Sequence, residues 1–296
     1  TVEALFRTLV TTYLLTVDFY GCDGLTGSFA PLGKVKALRT LKVVRATRLK
    51  GSLGQLAGAV SLQHLDLSES AHVTGTLDDL ARCARLERLV LDGCKRVGGD
   101  LASLSSSAHL AEIRLDDTGA FGDLASLGGL DRLEVLSLRY CNLRGDVASL
   151  AALRDLRHVN LAHVPIISGN VTAFGFLPRL SHANLFYCRG LAGSLDAFLN
   201  LGDLVYLNVQ QCPDLTDVLR FFHARPRVET LFDRVRNPTK RPGAPRDDKD
   251  RDEGEDDGAL AAVAPLPQAA VKLAPLSRDD RKKARGRPRG RKARPR

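Results

Sequence analysis

Six cysteines and seven histidines are the side chains of this 296-residue chain best suited to metal binding, redox chemistry or nucleophilic catalysis. Five of the cysteines (Cys22, Cys94, Cys141, Cys188 and Cys212) are separated by multiples of roughly 24 residues, and no C-x-x-C pair occurs. Zinc ligands come in closely spaced pairs, so this pattern predicts no metal site. Buried thiols behave as small hydrophobes, and the expectation is a set of free, structural thiols. The one pair one interval apart, Cys188 and Cys212, would come within disulfide range. Free thiols favour a reducing compartment. The histidines, His64, His72, His109, His158, His163, His182 and His223, belong to no H-E-x-x-H motif. Neither a G-x-S-x-G nucleophile elbow nor a G-x-x-x-x-G-K-[ST] phosphate loop occurs. We therefore expect no enzyme, no catalytic residue, no cofactor and no metal.

What positions these residues is a repeat. The pattern L-x-x-L-x-L recurs, with its second Leu position held by Val17, Leu41, Leu65, Leu89, Ile113, Leu136, Val159, Ala183 and Leu207. The steps between these anchors are 23 or 24 residues, and an imperfect tenth match falls at Leu231. Another apolar residue follows each anchor by two, which is the alternation of a half-buried strand. Downstream the period changes to three, as in Leu124, Leu127, Leu130 and Leu133. That spacing predicts a helical or 3-10 return with one buried stripe. A single unit cannot bury its own apolar face, whereas stacked units share a continuous core.

The consensus L-x-x-L-x-L-x-x-C-x-x-L-x-G-x-L is clearest from Leu133 to Gly145. It resembles the leucine-rich-repeat family, and its L-x-G-x-L ending resembles the 24-residue plant-type subclass. The ninth unit, Cys212-Pro213-Asp214-Leu215-Thr216-Asp217, is closer to the cysteine-containing subclass. The resemblance implies an α/β leucine-rich-repeat solenoid over residues 1–236, with a curved parallel sheet on the concave face and short helical turns outside. It also implies that the cysteine register, five residues after the anchor, faces inward where the chain leaves the strand. Gly27, Gly51, Gly75, Gly145, Gly169 and Gly193 recur at the repeat turn as scaffold.

In such a strand the residues one before, one after and three after the anchor point outward. The last three units change character there, exposing His158, Asn160, His182, Asn184, Phe186, Tyr206, Asn208 and Gln210, with Tyr140, His163 and Tyr187 near the edge. Aromatic residues make up only 5% of the chain, so their concentration here singles out a protein-binding surface. Large amphipathic side chains dominate interface energetics. The early units carry Lys42, Arg88, Asp66, Asp92, Glu112, Asp116 and Asp117, a mixture of signs to which no site is assigned. The expected partner is another protein.

The net charge of +9 resides in the tail: residues 278–296 hold eleven Lys/Arg against two Asp. An acidic block at 247–257 precedes it, with eight acidic and two basic residues. Charge blocks of low hydrophobicity predict a disordered segment over 237–296. Within it, Arg285-Gly286-Arg287-Pro288 resembles an AT-hook core. That resemblance implies Arg285 and Arg287 on the floor of an A/T-rich minor groove, with Lys282, Lys283, Arg289 and Arg291 on phosphates. A nuclear-localisation role or a generic polyanion contact is the alternative. No apolar run reaches the roughly 18 residues of a membrane span. With no Met, the chain is expected to be a fragment or processed product, and an intracellular location, cytoplasmic or nuclear, is expected.

Overall fold

A computed structural model of the chain describes residues 15–231, apart from Asp23 and Leu25. The acidic block, the basic terminus with its R-G-R-P and the boundary expected after residue 236 all lie outside the described residues. Each apolar anchor becomes the second residue of a strand, and the nine strands pair in parallel in the order of the chain. The anchors face one another directly, from Val17 opposite Leu41 to Ala183 opposite Leu207. A tenth strand, Glu229–Leu231, completes the sheet. Here the expectation was off by one: Leu207 pairs with Thr230, and Leu231 lies opposite Asn208. The short helix Val218–Ala224 ahead of this strand replaces the usual 3-10 return, and the register follows that different path.

The three-residue period forms 3-10 turns, such as Leu124–Leu127 and Val147–Ala152. Their first backbone N–H groups have no partner within so short a helix. In most units a side chain just before the turn supplies one: Asp123 accepts from Ala125 N at 2.9 Å, Asp146 from Ala148 N at 2.7 Å, and Asn170 from Thr172 N at 2.9 Å. Between strand and 3-10 turn lies a second element that the sequence pattern does not announce. Two to five residues per unit pair in parallel, six strands from Gly27–Ser28 to Asn142–Arg144 and three from Ser168–Asn170 to Asp214–Thr216. The stacked leucines fill the space between these layers, Leu115, Leu136 and Leu138 among them with no exposed surface.

Glycine is required where the second sheet meets the cap of the preceding unit. Gly169 has φ +114°, and a Cβ there would fall on Asp146 Oδ1, the atom that caps the turn before it. The Gly169→Ala substitution should cost about 2–3 kcal/mol, combining backbone strain with a disturbed cap. Gly202→Ala, where a Cβ would meet nothing within 4 Å, should be nearly neutral. Comparing the two by urea denaturation tests the account, which fails if both variants behave alike.

All six cysteines are free thiols. Cys94, Cys141, Cys188 and Cys212 are buried, and each Sγ donates to a carbonyl of the preceding unit: Leu67 O at 3.0 Å, Leu115 O at 3.1 Å, Leu161 O at 3.0 Å and Leu185 O at 3.0 Å. Ser70 makes the same bond to Val43 O at 3.2 Å. The position thus ties successive units together with a small donor. Burial pushes the Cys94 and Cys141 thiols up to about 12 and raises that of Cys188, keeping them protonated and unreactive at neutral pH. Cys22, in the same register, is partly exposed and contacts Tyr20 O at 3.5 Å, so the inward placement does not extend to the first unit.

Candidate functional site

The residue four after each anchor leaves the strand in a left-handed conformation. Arg45, Glu69, Asp117, Tyr140, His163, Tyr187 and Gln211 all have φ between 56° and 60°, and Gly21 and Gly93 complete the row. Backbone N–H groups of this row donate to the next unit, for example Tyr140 N to Ala162 O at 3.1 Å, His163 N to Phe186 O at 2.8 Å and Tyr187 N to Gln210 O at 2.9 Å. Side chains of the row are thereby held one strand spacing apart, about 4.8 Å, which is close to ring-stacking distance.

Three aromatic rings use that spacing. Tyr140 stacks on His163 with centroids 4.3 Å apart. His163 in turn makes a T-shaped contact with Phe186 at 4.8 Å and tilts toward Tyr187 at 5.4 Å. Guanidinium groups close both ends, Arg139 at 4.6 Å from the Tyr140 ring and Arg189 at 4.3 Å from Tyr187. Such cation–π contacts contribute roughly 0.5–1 kcal/mol at exposed sites. A second track runs along the opposite end of the same strands, where His158 stacks on His182 at 4.5 Å and His182 on Tyr206 at 6.2 Å. The eleven residues expected from sequence as a single surface therefore divide into two aromatic tracks with a polar row between them.

That middle row differs from the expectation of full exposure. Asn208 is buried at 7% exposure and Ser137 at 2%. Asn160, Asn184 and Asn208 each use the side-chain carbonyl to accept from the backbone two residues on, at Ala162 N, Phe186 N and Gln210 N. The amides hold the chain where it leaves the strand; Asn208 is covered, while Asn160 and Asn184 stay partly exposed. Gln210, three after its anchor and in the register of Phe186, is partly exposed.

The spacing rules also passed over a polar spine in the earlier units. Asp92 Oδ2 accepts from Arg114 Nε at 3.1 Å, and Asp92 Oδ1 from Asp116 N at 2.9 Å. Asp116 Oδ1 accepts from Ser137 Oγ at 2.7 Å and Arg139 N at 2.8 Å, and Asn160 Nδ2 reaches Ser137 Oγ at 3.0 Å. Burial, then the neighbouring Asp116 carboxylate, pushes Asp92 up to about 6, and burial raises Asp116 as well. Asp92 and Asp116 share the register three after the anchor in consecutive units, so their adjacency was the available signal. An open cavity of about 410 Å³, lined by Lys95, Asp116, Asp117, Arg139 and Tyr140, joins this spine to the first aromatic track.

His158 shows the opposite behaviour to Asp92. Burial first, then the His182 ring and Arg114 and Arg157, bring it down to about 4, and its buried Nδ1 has no hydrogen-bond partner. A depressed native pKa means that the unfolded chain takes up the proton first. The stabilising contribution is complete above about 6.5 and is lost as pH falls toward 4. The His158→Asn variant should therefore lose less stability than the wild type between pH 7 and pH 5. The difference should be about 1–2 kcal/mol after allowing for screening of a half-exposed ring. Parallel urea titrations at the two pH values measure it; equal acid losses would assign the sensitivity elsewhere.

Among the described residues no group of three or more His, Cys, Asp or Glu could hold a metal ion. No described helix is long and apolar enough to cross a membrane.

No protein-family model matches the chain, and no curated protein matches it. Solved structures do match. A TDR receptor superimposes with a TM-score of 0.56 at 16% identity, over 79% of this chain and 49% of the receptor chain. The LRR ectodomain of the Arabidopsis receptor kinase HAESA, solved with an N-terminally extended IDA peptide hormone ligand, gives 0.50 at 16% identity, over 68% of this chain and 36% of its own. The fold is a leucine-rich-repeat solenoid. This chain spans about half the length of the TDR receptor structure. At such low identity the likeness concerns the path of the backbone: parallel strands on one face, 3-10 returns on the other. The solenoid's aromatic tracks and polar spine belong to this chain's own side chains.

Proposed function

We propose that the solenoid is a non-catalytic protein-interaction module that holds a polypeptide partner on its concave face, across units six to nine. The observation that carries this reading is the continuous aromatic track from Tyr140 through His163 to Phe186 and Tyr187, capped by Arg139 and Arg189. Tyr140 remains 45% exposed, so the track offers ring faces and guanidinium donors to a partner in addition to its internal contacts. Aromatic and Arg side chains are the ones that most often anchor protein interfaces. The peptide bound to the HAESA ectodomain supports a polypeptide occupant for a surface of this architecture. The plant-type repeat subclass is the subclass we infer from the L-x-G-x-L endings.

The second reading rests on Arg285-Gly286-Arg287-Pro288 and its flanking Lys282, Lys283, Arg289 and Arg291. In it the basic terminus contacts A/T-rich DNA while the solenoid recruits a further protein. A pull-down with the full chain, with and without nuclease, separates the two. Partners retained after nuclease and lost on altering the aromatic track support the interaction module. Retention that disappears with nuclease moves the function to the tail.

A further inference from the structure

The second sheet carries a surface separate from the aromatic tracks. In Leu49–Ser52 and Val73–Thr76, Leu49 and Val73 are buried and the alternate residues face outward. Ser28 pairs with Lys50, Ser52 with Thr74 and Gly75 with Val97. Continued by one residue, that register sets Lys50 beside His72 and Thr74 beside Arg96. The result is a grid of cations and hydroxyls at strand spacing, and it lines an open groove of about 600 Å³.

Two features suit this groove to an anionic, hydroxyl-bearing ligand. Several surface cations elsewhere are neutralised by an acid one unit away, as Arg45 is by Glu69 at 2.7 Å, Lys95 by Asp117 at 3.0 Å and Arg179 by Asp155 at 2.7 Å. Lys50, His72 and Arg96 have no such acid among the described residues, and no carboxylate lines the groove. The hydroxyls of Ser52 and Thr74, in turn, keep hydrogen-bonding capacity: Ser52 Oγ accepts from Gly54 N at 3.3 Å and has its proton to donate. Thr74 Oγ1 donates to Gly51 O at 3.3 Å, which leaves its lone pairs to receive a ligand hydroxyl.

A ligand matching this lining has anionic groups at intervals and hydroxyls between them. No Phe, Tyr or Trp lines the groove, and its one ring, His72, gives no row of platforms on which successive nucleic-acid bases could stack. We propose that this groove binds a linear sulfated polysaccharide, with sulfate groups on Lys50 and Arg96 and sugar hydroxyls on Ser52 and Thr74. His72, set between the two rows, adds a further N–H donor.

The test uses the full chain and a heparin fragment of defined length, measured by calorimetry at physiological salt. Three proteins are compared: the wild type, Lys50→Glu with Arg96→Glu, and Arg82→Glu with Arg85→Glu. The last pair is exposed and lies outside the groove, so it matches the charge change and leaves the basic terminus common to all three. The groove variant should bind at least about 10-fold more weakly and the control within about 3-fold of the wild type. Circular dichroism checks that both variants fold. Equal losses in the two variants, no loss in the groove variant, or no wild-type binding would overturn the proposal. So would an equal groove-dependent loss with duplex DNA, because the groove would then read charge alone.

Discussion

The Phe186→Ala, Tyr206→Ala double variant should weaken partner binding by at least about 100-fold while leaving the solenoid folded. The two residues sit on different aromatic tracks, one in a T-shaped contact with His163 and the other stacked on His182. Both are partly exposed and neither belongs to the buried core. Removing them takes away ring surface at both ends of the same strands, so a partner spanning the face loses two anchors together. The check is affinity for the partner recovered by pull-down, with thermal stability measured in parallel. Binding within a few-fold of the wild type would remove the concave face from the proposal. A stability loss as large as that of a core truncation would show that the rings serve packing.

That core reference is Leu115→Ala, expected to destabilise by about 2–5 kcal/mol. Leu115 has no exposed surface and sits two residues beyond the Ile113 anchor. Its carbonyl also accepts from Thr118 Oγ1 at 2.7 Å and Cys141 Sγ at 3.1 Å. The cavity would therefore open beside the donors that tie the fifth unit to the sixth. In a stacked array each unit is stabilised chiefly by its neighbours, so the loss should be strongest in the amide protection of the fifth and sixth units. Hydrogen exchange resolved by segment would detect this; uniform loss along the chain would contradict it.

Much of the architecture was legible because one period governs the whole chain. Anchors spaced by 23 or 24 residues fix which strands are neighbours, and the pairing of Leu136 with both Ile113 and Val159 follows the sequence count. The three-residue stripe likewise announced the 3-10 turns, and the cysteine register announced a buried position. The second sheet was less visible, because strands such as Gly27–Ser28 and Asn142–Arg144 are too short to show alternation. At the candidate site the residue types were legible and their arrangement was not. The spacing rule treats each outward residue as exposed, yet Asn208 and Ser137 are covered by their neighbours. Nor does a rule based on one unit at a time see that Asp92 and Asp116 meet across units and that Arg114 lies between acids. Stacking of Tyr140 on His163 depends on a backbone conformation that neither residue type suggests.

That conformation bears on how the surface came to carry these side chains. A left-handed backbone disfavours most residues by roughly 1–2 kcal/mol relative to glycine. Gly21 and Gly93 show that the turn accepts glycine without altering the repeat. Tyr140, His163 and Tyr187 therefore occupy positions where the backbone alone would prefer no side chain. Substituting glycine there should ease the turn while stripping the track of its rings, so stability and recognition pull in opposite directions at these three residues. The row is a place where sequence drift toward glycine would be favoured by folding and opposed only by whatever the rings touch.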